Sequence, residues 1–232
     1  MIYRFQLLSP DELKRIQYKF EGCTHWNSGK VQLNGESVEN GQVKSNKFID
    51  QHSSEYNYCI EIVNKALQKS NRFKTTYAMK DITQPMLTEY EVGGHYDLHI
   101  DSVEINNLRT DHSMTLFLNE PSEYEGGELV LNLSDVEYRV KEPAGMLVIY
   151  PTGLLHEVTE VTSGYRRVAI MWSQSLIDDY LLRAQVIDLG RAIGNVTHWC
   201  NKNNVDAKTT QNLLVPLEQV RNNFLREYGS FK

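Results

Sequence analysis

A chain of 232 residues, 41% of them hydrophobic, can bury one substantial core, and no Pro-, Gly- or Ser-rich linker splits it into comparable halves. A formal charge of −6 without a basic run argues against nucleic acid as a partner, because neutralising phosphates requires clustered Lys and Arg. No run of about 18 apolar residues occurs and residues 1–6 lack a basic-then-apolar leader pattern, so a soluble, cytoplasmic chain with no membrane partner is expected, its Cys23, Cys59 and Cys200 being buried thiols rather than a disulfide framework.

In chain order, Ser9-Pro10-Asp11-Glu12 reads as a helix start, with Ser9 as N-cap, Pro10 at the first helical position, Glu12 closing a capping box and Leu8 set to staple onto Leu13. This predicts a helix over about 10–20. Residues 22–52 are polar and rich in Gly and Asn, and a loop or short strands at a site entrance, ordering over substrate, would suit them. A second helix is expected from about Ser54, with Tyr56, Cys59, Ile60, Val63, Ala66 and Leu67 forming its core stripe.

Between about 72 and 172 the pattern changes to short strands with turn signals, at 86–92, 96–101, 113–118, 128–132, 146–149 and 167–172, as in a sandwich or barrel. Glu125-Gly126-Gly127-Glu128-Leu129 marks a turn into one of them. Helical patterning returns at about 177–193, and a last segment, about 217–228, follows the breaker Pro216. The expected organisation is a main unit over 1–175 and a helical tail over 176–232 packed on the core, the tail also offering a surface for a homo-oligomer.

The chemistry concentrates in Tyr90-Glu91-Val92-Gly93-Gly94-His95-Tyr96-Asp97-Leu98-His99-Ile100-Asp101. On an extended strand His99 and Asp101 project to one side while Ile100 points into a core. His156, just after the apolar run Met146-Leu147-Val148-Ile149, supplies a third donor, and two His with one carboxylate suit Fe(II) with one side left open. Adjacent Arg166 and Arg167 must face opposite sides of their strand, so one of them points inward. His25, His52, His112 and His198 lack ligand-spaced partners and read as packed or surface residues, whereas His95 adjoins the motif.

Tyr90-x-x-Gly93-x-x-Tyr96-x-x-His99-x-Asp101, then His156 and Arg166, resembles the 2-oxoglutarate- and Fe(II)-dependent dioxygenases. Lys44-x-Asn46, His156-x-Val158-Thr159-x-Val161-Thr162-x-Gly164-x-Arg166 and Trp172-x-Gln174-Ser175 narrow the resemblance to the prolyl 4-hydroxylase branch and its bacterial PKHD-type hydroxylases. The resemblance implies a mainly β fold, a double-stranded β-helix or jelly roll with amino-terminal helices and the helical tail. It further implies iron on His99, Asp101 and His156, and Arg166 rather than Arg167 on the distal carboxylate of 2-oxoglutarate. Tyr90 would bond the co-substrate and Tyr96 would support the site. Where animal members carry a tyrosine before Leu-Asn, this chain has Phe117-Leu118-Asn119, and Thr115 is the expected replacement donor.

The implied reaction is hydroxylation of an unactivated C–H bond, with O2 consumed, 2-oxoglutarate converted to succinate and CO2, and L-ascorbate as reductant. The expected substrate is a protein or peptide of prolyl type. The different-class alternative is a metal-binding jelly-roll module or zinc hydrolase, which has no need for a buried guanidinium facing its metal.

Overall fold

The computed structural model describes residues 1–29, 43–70, 73 and 76–231, together with the backbone of two short paired strands at 31–33 and 36–38. The parts of the entrance segment at 30, 34–35 and 39–42 lie outside the described residues. Helix α1 spans Pro10–Glu21 and α2 Ser54–Lys69. The capping box forms as expected, Glu12 N–H donating to Ser9 Oγ and Ser9 N–H to Glu12 Oε2, while Leu8 and Leu13 enter one core.

The strands that build the two principal sheets are β1 (Tyr3–Gln6), β2 (Trp26–Ser28), β3 (Lys44–Ser45), β4 (Lys47–Ile49), β5 (Met79–Ile82), β6 (Met86–Tyr90), β7 (His95–His99), β8 (His112–Phe117), β9 (Leu129–Leu133), β10 (Val136–Val140), β11 (Met146–Pro151), β12 (His156–Val158) and β13 (Arg166–Ser175). Among the described residues the larger sheet runs β1-β11-β8-β13-β6-β4-β2, with β5 also pairing β13. The smaller runs β10-β9-β12-β7-β3. Every pairing is antiparallel. This is the jelly roll expected from the sequence.

Alternation on the larger sheet sorts side chains between two cores. Met114 and Leu116 of β8, Leu147 and Ile149 of β11, and Ala169 and Met171 of β13 pack outward with α1 and α2 residues such as Ile16, Phe20, Cys59 and Val63. Phe117, Val148, Tyr150 and Val168 instead face the smaller sheet, meeting Leu129, Leu131, Val140 and Val158. Each fully buried aliphatic side chain of this kind contributes about 1.5–3 kcal/mol. The inter-sheet core therefore fixes the spacing of whatever projects from its open end.

Two expectations are corrected. Strand β7 ends at His99, so Asp101 lies beyond it and Ile100, at 55% exposure, stands at a cavity rim instead of in a core. Pro216 does not begin the last helix. After α3 (Tyr180–Lys202), α4 runs Ala207–Tyr228 through it. A proline starts a helix readily but costs about 3 kcal/mol inside one. Here Asp206 caps the earlier turn, Thr209 N–H donating to its side chain, and Phe224 and Leu225 pack with Ala78, Ile177 and Val186. None of the described helices is long and apolar enough to cross a membrane.

His112 on β8 illustrates the energetic consequence of burial. Desolvation, with Arg183 nearby, pushes its imidazole from 6.5 down to about 3. The folded protein thus holds it neutral while the unfolded chain protonates it near 6.5. Between those values the unfolded state binds more protons, so stability falls as pH drops from about 6.5 toward about 3. Urea midpoints between pH 4 and 7 should show this slope, and His112→Gln should reduce it by about one proton.

Candidate active site

Alternation along β13 decides between the two arginines. Arg166, Val168, Ile170 and Trp172 share one side and Arg167, Ala169 and Met171 the other. Arg166 is 1% exposed, lies over the rings of Tyr90 and Phe117 at 5.1 and 5.5 Å, and leaves Nε and Nη1 without a hydrogen-bond partner. Arg167 instead donates from Nε to Glu89 Oε2 at 2.5 Å, and Lys47 holds the other Glu89 oxygen at 2.8 Å. Arg167 is thus committed to an internal ion pair.

Gly127 makes room for Arg166, while Gly126 lets the turn approach the Glu160 backbone. Both have positive φ, 66° and 61°. A Cβ on Gly127 would stand 3.1 Å from Arg166 Cδ and 3.0 Å from Val161 Cγ2. The turn read in the sequence as a simple strand lead-in is therefore part of the wall around the guanidinium.

Across the cavity, β12 pairs β7 with His156 opposite His99, and a register shift follows before Val158. Imidazole Nδ1 of His99 faces the carbonyl of Asp97 at 2.7 Å and that of His156 faces Leu154 at 2.9 Å. Donation to those carbonyls leaves both Nε2 lone pairs directed at Asp101, 3.7 and 3.6 Å from its two oxygens. Among the described residues, His99, Asp101 and His156 form the cluster of three donors within 4.8 Å of one another. One ion with metal–donor bonds of about 2.1 Å would draw such donors to about 3.0–3.4 Å. Burial and the neighbouring His156 push His99 down to about 4, which keeps it neutral and able to donate its lone pair.

Asp101 is oriented from the other sheet: Ser113 Oγ donates to its Oδ2 at 2.6 Å and Trp172 Nε1 at 2.8 Å. Strand parity could have suggested both, because Ser113 shares a face with Thr115 and Trp172 with Arg166. His95, by contrast, bonds the Gly93 carbonyl through Nδ1 and stays out of the cluster.

The donors and Arg166 lie in one cavity of about 360 Å³, also lined by Lys44, Tyr90, Tyr96, Thr115, Tyr150 and Trp172. Tyr96 stacks on His99 with ring centroids 3.5 Å apart; burial, with Asp101 adding to it, pushes its hydroxyl up to about 12. Tyr90 is fully buried, and burial pushes its hydroxyl pKa up, an effect that the nearby Arg166 charge opposes. Burial lowers the Lys44 ammonium to about 8 despite nearby Asp101. Thr115 does reach the cavity, but its hydroxyl meets that of Tyr150, which sequence reasoning missed. Tyr150 came to light only through the pairing of β11 with β8.

This arrangement fits both groups that the motif implies. Three donors converge on one point, and a buried guanidinium with two unpaired nitrogens awaits an anion in the same cavity. Fold and site together define a non-haem iron oxygenase of the 2-oxoglutarate-dependent class. Residues 85–174 match the model of the 2OG-Fe(II) oxygenase superfamily. The chain is 32% identical over 228 residues to the PKHD-type hydroxylase YbiX of Shigella boydii serotype 18, covering 96% of each. It is 34% identical over 192 residues to YbiX of Escherichia coli strain 55989, covering 81% of this chain and 84% of that one. It belongs to the PKHD-type hydroxylases of the 2OG-Fe(II) oxygenase superfamily.

The fold is similar to that of a Trichoplax adhaerens prolyl hydroxylase solved in complex with a hypoxia inducible factor peptide fragment (TM-score 0.55, 17% identity, 74% of this chain and 82% of that one). It is also similar to a Pseudomonas putida prolyl-4-hydroxylase (TM-score 0.51, 18% identity, 75% and 92%).

Gly127→Ala should disturb the pocket without touching a metal donor. The added methyl meets Arg166 and Val161 at a backbone angle unsuited to alanine, costing about 1–3 kcal/mol. Calorimetry should show 2-oxoglutarate affinity falling while loading of the metal stays near wild type.

Proposed function

We propose that this hydroxylase acts on a peptidyl substrate of prolyl type, inserting one oxygen atom into an unactivated C–H bond and releasing succinate and CO2. His99, Asp101 and His156 hold Fe(II), and Arg166 receives the distal carboxylate of 2-oxoglutarate. Supporting this most directly is Arg166 itself: a guanidinium 1% exposed, with Nε and Nη1 unpaired, in the cavity that contains the three donors. A charge so enclosed needs a counter-ion, and a planar fork suits a carboxylate.

The division of labour follows from the side chains. When bound, iron and 2-oxoglutarate supply the oxidation, in which O2 delivers one atom to the substrate and one to succinate. Ser113 and Trp172 hold Asp101 by one oxygen, and the carbonyls of Asp97 and Leu154 set the imidazole tautomers. Tyr150, backed by Thr115, provides the hydroxyl that Phe117 lacks, beside Arg166 and Tyr90. Tyr90 and Phe117 cover the guanidinium and exclude water, while Tyr96 supports the His99 ring. Ascorbate serves as reductant, and the cytoplasm as the compartment. Residues 1–175 constitute the oxygenase unit, and the tail over 176–232 packs on it. Exposed Leu213, Val215 and Val220 of α4 offer that tail a surface for a second copy.

Alanine at His99, Asp101 or His156 should abolish succinate release, and redox-inert Zn(II) should inhibit the wild type. Arg166→Ala should weaken 2-oxoglutarate by about 2–5 kcal/mol, roughly 30- to several-thousand-fold, with iron binding retained. Arg167→Ala should keep co-substrate affinity but lose stability, up to about 3–5 kcal/mol, as Glu89 loses its buried partner. Anaerobic titration of 2-oxoglutarate into the Fe(II) protein, followed by charge-transfer absorbance, measures both; indifference of both variants would sink the co-substrate assignment. A gain of about 16 Da in peptide pools, the mass of the inserted oxygen, identifies the product.

A further inference from the structure

We propose that Lys44 is a specificity residue whose ammonium receives a carboxylate carried by the substrate, so that this enzyme selects acidic peptides. The inference rests on the 2-oxoglutarate-dependent peptidyl hydroxylase reading above and adds the charge of the substrate to it.

Among the described residues the cavity is lined by two cationic side chains, Arg166 and Lys44, and one carboxylate, Asp101. Asp101 is already engaged by Ser113, Trp172 and the two imidazoles. With the metal and co-substrate in place, two positive charges from Fe(II) and two negative ones from 2-oxoglutarate cancel. Arg166, Lys44 and Asp101 then leave one positive charge. The distal carboxylate answers Arg166, so Lys44 carries the remainder.

Geometry separates Lys44 from that inner pair. Its strand, β3, is the edge of the smaller sheet, with Lys44 opposite Tyr96. Its Nζ lies 4.4 Å from the centre of the Tyr96 ring, which in turn stacks on His99. The ammonium is thus one aromatic ring removed from the metal donors, on a half-buried side chain. Among the described residues no carboxylate lies within 4.0 Å of it, and Asp101, whose charge acts on it from across the cavity, is already held by Ser113 and Trp172. An aromatic face orients an ammonium but does not neutralise it. A partly enclosed cation, positioned by a ring and lacking an ion-pair partner among the described residues, is suited to an anion brought in from outside.

The test uses the full chain loaded with Fe(II) and 2-oxoglutarate without oxygen, and pairs of prolyl hexapeptides that differ only in a glutamate or glutamine beside the proline. Calorimetry should show the glutamate peptide binding wild type about tenfold tighter at low salt, an advantage that shrinks as salt rises. Lys44→Met should erase the advantage and Lys44→Arg should keep most of it, while 2-oxoglutarate affinity changes by no more than about threefold in either. Equal affinity of the two peptides for wild type, or a preference that survives in Lys44→Met, overturns the assignment. So does failure of every acidic peptide to bind a protein that still takes up 2-oxoglutarate. A fall of about tenfold or more in 2-oxoglutarate affinity on Lys44→Met overturns it as well, giving the lysine to the co-substrate. Absence of 2-oxoglutarate binding in wild type instead brings down the underlying reading.

Discussion

A guanidinium enclosed by protein with two nitrogens unpaired is a costly object, and much of this fold is arranged around keeping Arg166 in that state. Its strand sits centrally in the larger sheet, paired on both sides by β8 and β6, so its register cannot slip without inverting a whole core. The neighbouring Arg167 is drawn the other way into the Glu89–Lys47 ion pair. Two adjacent cations therefore end in separate environments, one neutralised internally and one left for an anion. Glycine at 127 is the local condition for this, because a side chain there would press on Arg166, Val161 and Tyr124.

The two sheets contribute different chemistry. The smaller brings His99 and His156 into opposition across a single pair of strands. The larger brings Arg166, Tyr150 and the groups that grip Asp101. Where an imidazole stands relative to the guanidinium is consequently a property of the inter-sheet core of Leu131, Val148, Val168 and their neighbours. Packing at that core carries chemical meaning even where no side chain touches a reacting group.

Much of this was legible in the sequence because it depends on local or periodic signals. The capping box at Ser9 and Glu12, the stripe of α2 and the parity that sends Arg166 inward each follow from a short stretch of chain. The convergence of His99, Asp101 and His156 was legible because family spacing carried it, yet the geometric route assigned to it was wrong in detail. His99 and Asp101 do not share a strand face, since the chain leaves β7 at His99, and Ile100 is exposed. Tyr150 was illegible because its neighbour Thr115 lies on a different strand, so that only sheet order joins them. Pro216 misled for a similar reason: its intrinsic preference is local, whereas the packing of Phe224 and Leu225 that retains one long helix is tertiary.

Asp101 has one further property. It follows a strand of the smaller sheet, yet Ser113 and Trp172, which hold it, belong to the larger. The carboxylate is thus a latch across the open end of the jelly roll, where hydrophobic packing has run out. An ion bound there would tie His99 and His156 to that same latch and fasten the two layers together.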